Sequence, residues 1–163
     1  MPVALREAEI IWEGPLGRGT GTLRSGSGAL DRLAVTWASR TEQPDGKTSP
    51  EELIAAAHAS CFAMALALLL DANQTPPERV AVNAACTLDE VEAAPRITTA
   101  ELTVRAAVPG LEPTDLERIV GQAADLCPVS NALRGNVTIN VRSELVPNLE
   151  IAPEPRKSAI GAG

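Results

Sequence analysis

Short alternations of apolar and polar positions occupy the first 40 residues. The runs AEIIWEG (8–14), GTGTLRSG (19–26) and ALDRLAVTW (29–37) are separated by Gly14, Gly17, Gly19, Gly26 and Gly28. Runs of this length, broken by glycine and serine, predict hairpin-linked strands. A polar loop, RTEQPDGKT (40–48), follows. The pattern then changes: residues 53–70 are apolar nearly all round, which predicts a helix buried on most of its faces. Ser49 is a good N-cap, Pro50 suits the first helical position, and Glu52 completes a capping box with Ser49. The helix should end near Ala72, before Pro76 and Pro77.

A membrane span is the rival reading of that helix. About 20 apolar residues are needed to cross a bilayer, and this run only approaches that. His58 and Ser60 interrupt it, and Glu51, Glu52 and Asp71 flank it without the Lys/Arg asymmetry that orients a span. The pattern favours a buried central helix. One small domain has difficulty covering such a helix on every side, and a second copy of the chain would solve that. Further strands are expected at 80–88 and 97–108. A second helix should begin near Thr114, where TDLE reads as another capping box, and run to Leu126. A short helix should start at Pro128, and NVTINVRSEL (136–145) reads as a last strand. The class is α+β, with a single domain over 1–147. The Pro-rich tail, 148–163, is expected to be loosely ordered.

Composition narrows the function classes. At 163 residues the chain fits one domain with a real core. Its aromatics are Trp12, Trp37 and Phe62, so packing must rest on Val, Leu, Ile and Ala. A net charge of −7 argues against nucleic acid and against anionic membrane surfaces. No apolar h-region opens the chain, so no signal peptide is expected. Three cysteines do not resemble a secreted disulfide scaffold. A cytoplasmic site is expected, where paired cysteines are catalytic, redox-sensing or metal-binding more often than structural.

Each candidate residue has two readings. Cys61, in the middle of the long helix, is either a small buried hydrophobe or a nucleophile that needs a nearby cation to become a thiolate. Lys47, Arg18, Arg24 and Arg40 are the cations that the fold could bring close. Cys127 precedes Pro128 and should cap the short helix, where the dipole lowers a thiol's pKa; otherwise it is an inert cap. Cys86 shares one strand face with Val80, Val82, Ala84 and Leu88, which reads as a core stripe. His58, the sole histidine, is three residues before Cys61 on the same helix face. It could serve as a base for Cys61 or be a buried group satisfied by a backbone carbonyl. No standard zinc spacing is present, so no metal is expected. Glu51 suits the first turn of a helix on dipole grounds alone. It lies ten residues before Cys61, about 15 Å along a straight helix. Two such helices packed antiparallel would bring Glu51 of one chain level with Cys61 of the other, crossing near Ala55, Ala56 and Ala57.

The segments TSPEELIAAAHASCFAMAL and CPVSNAL, with WEGPLGRGTGTL, SGSGAL and ITTAELTVRAAVPG, resemble the OsmC/Ohr family of thiol-dependent peroxidases. The HASCF form is more similar to the OsmC branch. The resemblance implies an intertwined homodimer, with two long central helices wrapped by antiparallel β-sheet, a second helix and a short third one. It implies active sites at the subunit interface and reduction of organic hydroperoxides without metal or cofactor. Cys61 matches the peroxidatic cysteine, Cys127 the resolving one, and Glu51 the glutamate of a PE motif. Arg40 matches the activating arginine, with Arg18 as second choice. Thiolate attack on the O–O bond, a Cys61 sulfenic acid and a Cys61–Cys127 disulfide would follow, reset by a dithiol of lipoyl type. A pocket of Leu, Ala, Met64 and Phe62 would favour alkyl hydroperoxides over hydrogen peroxide. The alternative is a cysteine-based redox sensor or binding module without rapid turnover.

Overall fold

The chain begins with three short strands, β1 (Ala8–Glu13), β2 (Thr20–Ser25) and β3 (Leu33–Val35), paired antiparallel in that order. A short helix α1 (Trp37–Thr41) and the long helix α2 (Pro50–Ala72) follow. Next come strands β4 (Arg79–Val91) and β5 (Ala94–Ala107), helices α3 (Pro113–Leu126) and α4 (Pro128–Leu133), and strand β6 (Thr138–Leu145). This computed structural model describes residues 1–149. Of the tail expected to be loosely ordered, only Asn148 and Leu149 fall within it. Leu149 is buried, and Arg79 donates to its carbonyl. The rest of the tail lies outside the described residues.

The second sheet has the order β4–β5–β6 and is mixed. β4 and β5 form a long antiparallel hairpin, but β5 and β6 run parallel. The all-antiparallel expectation therefore fails at β6. A parallel pair needs a crossover, and α3 with α4 supplies it across the inner face of the sheet. Alternate residues of β5, Ala100, Leu102, Val104 and Ala106, are buried. Leu116, Ile119, Val120 and Ala123 present the facing stripe of α3 at helical spacing. Phe62, Leu66 and Leu70 of α2 close this core. Full burial of each such side chain stabilises the fold by about 1.5–3 kcal/mol.

The helix ends differ in detail from the expected capping boxes. Ser49 accepts from the Glu52 amide at 3.2 Å, so half of the first box forms. The Glu52 carboxylate turns instead to the Thr48 hydroxyl, 2.6 Å away. The TDLE box does not form. Pro113, with its fixed φ, already occupies the first helical position, and Glu112 is the N-cap without a side-chain bond. Residues 40–48 are not wholly a loop either, because α1 runs into them.

Among the described residues, one side of α2 is buried and the other is open. Ala56, Ser60, Met64 and Leu68 form an exposed ridge at four-residue spacing, with Met64 68% and Leu68 61% exposed. The helix is long and apolar enough to cross a membrane, yet only 28% of its apolar window is buried by its own chain. The expectation that most faces are covered is therefore not met within one chain. The first sheet packs mainly on itself and scarcely on α2 or the second sheet. Ile10, Ile11 and Trp12 of β1 are exposed. Ile10 and Trp12 lie close over Gly21 of β2, where a Cβ would sit 2.6 Å from Ile10 Cδ1.

Candidate active site

The Cys127–Pro128 step breaks one helical path into α3 and α4. A residue before proline is driven out of the α region, and Cys127 sits at φ −64°, ψ 115°. It therefore ends α3 and caps α4 at the same time. Its Sγ is fully buried and accepts from the Ser130 amide at 3.5 Å. The bend is braced from outside. Asn131 donates to the Asp125 carbonyl at 2.9 Å, and Arg134 donates to the Ala124 carbonyl at 3.2 Å.

Packing of α4 on α2 brings Cys127 against Cys61, and both thiols are free. Cys61 packs against the core that Cys127 belongs to, and each thiol bears on the ionisation of the other. The two sulfurs differ in character. Burial pushes the Cys61 thiol up, outweighing the Val129 backbone contact that lowers it; the Cys127 neighbour raises it further. Burial also opposes ionisation of Cys127, but the Ser130 hydroxyl and amide, the Cys61 thiol and the Val129 backbone together bring its pKa down.

His58 takes neither of its expected roles. It is fully buried, and its Nε2 lies 2.8 Å from Ser130 Oγ. Its partner is thus a hydroxyl of α4, neither the Cys61 thiol nor a backbone carbonyl. Nδ1 has no partner among the described residues. Burial holds the imidazole's pKa below its usual value, so it is neutral at pH 7. Ser130 was not singled out from the sequence. The available signal was its position three residues after an N-capping cysteine, where a backbone amide points back at the cap.

Arg40 and Glu51 form the charged part of the site. Arg40 Nε lies 3.0 and 3.2 Å from the two Glu51 oxygens, and Nη2 lies 2.7 Å from Oε1. This two-pronged contact is the geometry a planar guanidinium makes best. Local capping positions it. Thr36 and Ser39 cap α1 reciprocally at 3.0 Å, and Ser39 also donates to the Thr48 carbonyl at 3.0 Å. That last bond ties α1 to the start of α2, where Glu51 is buried. The Trp37 ring packs under the guanidinium, 5.8 Å from centroid to Cζ. Arg18 lies exposed in the β1–β2 turn and forms no ion pair among the described residues.

Glu51 lies in the first turn of α2 and Cys61 in its middle. Glu51 precedes Cys61 by ten residues, about 15 Å of rise. Within the chain, the thiol nearer Glu51 is Cys86. It is half-buried on the inner face of β4, as the alternation predicts, and burial together with the Glu51 charge raises its pKa. The expected apolar pocket also changes. Phe62 is fully buried in the chain's own core and Met64 points outward, so neither lines a pocket with Cys61 here. An apolar groove of about 190 Å³ instead borders Arg40, lined by Ile10, Trp12, Leu16, Val35 and Trp37.

A long apolar helix bearing one thiol, a second thiol at a Cys-Pro helix break, and a carboxylate-held arginine define a class of thiol-bearing α+β proteins. Comparison with known proteins agrees. The family model "OsmC-like protein" matches residues 43–142. The chain is 38% identical to peroxiredoxin OsmC of Escherichia coli (strain K12) over 135 residues, which is 83% of this chain and 94% of that one. Two solved structures are similar throughout. The organic hydroperoxide resistance protein OsmC of Legionella pneumophila has a TM-score of 0.68 at 26% identity, over 88% of this chain and 98% of that one. OhrB of Bacillus subtilis has a TM-score of 0.70 at 25% identity, over 86% of this chain and all of that one. The chain belongs to the OsmC-like protein family.

Proposed function

We propose that the chain is a soluble, cytoplasmic, thiol-dependent peroxidase that reduces organic hydroperoxides to alcohols as a homodimer. The observation that carries this reading is the packing of α4 on α2, which sets Cys61 beside the core that Cys127 belongs to. Its relatives' names, peroxiredoxin and organic hydroperoxide resistance protein, point to the same chemistry. The Cys61 thiolate attacks one peroxide oxygen and the O–O bond breaks. The alkoxide takes a proton and leaves as an alcohol, and Cys61 becomes a sulfenic acid. Cys127 attacks that sulfur, water leaves, and a disulfide closes the cycle. A dithiol of lipoyl type then restores both thiols by exchange.

The dimer supplies what one chain lacks. Burial, with the Cys127 neighbour, raises the Cys61 thiol, the wrong direction for a nucleophile. Antiparallel packing of two α2 ridges, crossing near exposed Ala56 and Ala57, brings Arg40 and Glu51 of one protomer level with Cys61 of the other. A guanidinium there favours the thiolate and the charge developing on the departing oxygen. The Trp12–Trp37 groove beside Arg40 takes the alkyl group.

The test is peroxide consumption with cumene hydroperoxide and with hydrogen peroxide, reduced by dihydrolipoamide or dithiothreitol. The wild type should turn over repeatedly and prefer the organic substrate. Cys61→Ser should abolish consumption. Cys127→Ser should leave a trappable sulfenic acid and no cycling. Retained turnover in Cys61→Ser would refute the nucleophile. A disulfide that forms only slowly in the wild type would instead make the chain a redox sensor.

A further inference from the structure

The buried His58–Ser130 pair lies outside the chemistry described so far. His58 is on α2 and Ser130 on α4, 72 positions apart, and the 2.8 Å contact between them is sealed from water. The same Ser130 contacts Cys127, its amide donating to Sγ at 3.5 Å and its hydroxyl helping to lower the thiol's pKa. Ser130 thus stands between two buried groups, His58 on one side and Cys127 on the other. A neutral imidazole carries a single N–H. With Nδ1 unpartnered among the described residues, placing the hydrogen there would orphan a buried donor, the rarer and costlier arrangement. The hydrogen therefore belongs on Nε2, donating to Ser130 Oγ. That leaves the Ser130 hydroxyl proton free to point at the Cys127 sulfur.

We infer that His58 is a positioning residue for disulfide closure, acting through Ser130 to hold a hydrogen-bond donor on the Cys127 thiolate as it attacks the Cys61 sulfenic acid. The inference rests on the peroxidase reading above. The step is balanced without an added reagent. The Cys127 Sγ electron pair forms the S–S bond, and the S–O bond of Cys61 breaks. The proton given up by the Cys127 thiol joins the departing hydroxide as water. Donor chains of this kind strengthen along their length, and the last donor bonds more tightly to an anion than to a thiol.

Single-turnover kinetics test this, following sulfenic acid formation and disulfide formation separately after one equivalent of cumene hydroperoxide. His58→Met and Ser130→Ala should each slow disulfide formation at least about tenfold, the loss expected of a bond to a charged group, and leave sulfenic acid formation within about twofold. The double variant should be no slower than either single one, because both interrupt one chain. His58→Gln sets its side-chain amide where Nε2 stands and keeps a donor without an imidazole, so it should recover most of the rate. A space-filling role alone would not discriminate Gln from Met. Should His58→Met misfold, Ser130→Ala and His58→Gln carry the test. Unchanged closure in Ser130→Ala, or closure in His58→Gln as slow as in Ser130→Ala, overturns the inference. If the wild type forms no sulfenic acid, the peroxidase reading itself has failed, and the two failures are told apart.

Discussion

Arg40 meets Glu51 through two nitrogens of one planar group, and the contact fixes where the guanidinium points. A lysine ammonium keeps the charge but is a point donor on a flexible stem. Arg40→Lys should therefore lower kcat/KM for cumene hydroperoxide roughly 10- to 100-fold, the cost of a misplaced catalytic charge, with the far-ultraviolet spectrum unchanged. Arg18→Ala, at an exposed turn, should stay within about twofold of wild type. Steady-state kinetics on both variants check this, and an equal loss in Arg18→Ala would reverse the choice of arginine. Single residues were legible in the sequence where they stood at a helix signal. Glu51 follows Pro50, and Cys127 precedes Pro128. The partner of His58 was not legible, because a contact across 72 positions leaves no periodic trace in either segment.

At the level of elements, α2 could be bounded from Ser49 and Pro50 at one end and Pro76 at the other. Its all-round apolarity also announced a need for cover. The five-residue α1 that carries Arg40 went unseen, because one turn of helix capped by Thr36 and Ser39 has no repeat to detect. The parallel register of β6 was hidden for a different reason. Its alternation fits either direction, and only the crossover decides. The α2 ridge leads to a prediction of its own. Ala56 is exposed within the chain, so Ala56→Glu should change folding by no more than about 0.5 kcal/mol. In a helix-to-helix contact at that point, the same carboxylate would be buried without a partner. The variant should sediment as a folded monomer at micromolar concentration and lose peroxidase activity. A dimeric, active Ala56→Glu would move the interface elsewhere.

At the scale of the molecule, the described residues leave two apolar faces uncovered, the α2 ridge and the first sheet, with an ion pair about 15 Å along α2 from the thiol it should activate. A two-fold pairing answers all of these together, because an isologous contact gives each chain what it gives the other. In the proposed homodimer each active site would take Cys61 from one protomer and Arg40 from its partner. Mixing two dead variants tests this directly. A Cys61→Ser chain keeps Arg40, and an Arg40→Ala chain keeps Cys61. Co-refolded in equal amounts, half of the dimers are mixed, and each mixed dimer assembles one complete site and one doubly defective site. The mixture should recover about a quarter of wild-type activity, since half of the particles carry half of their sites. An arginine that served the cysteine of its own chain would leave every site with one defect, and mixing would restore nothing.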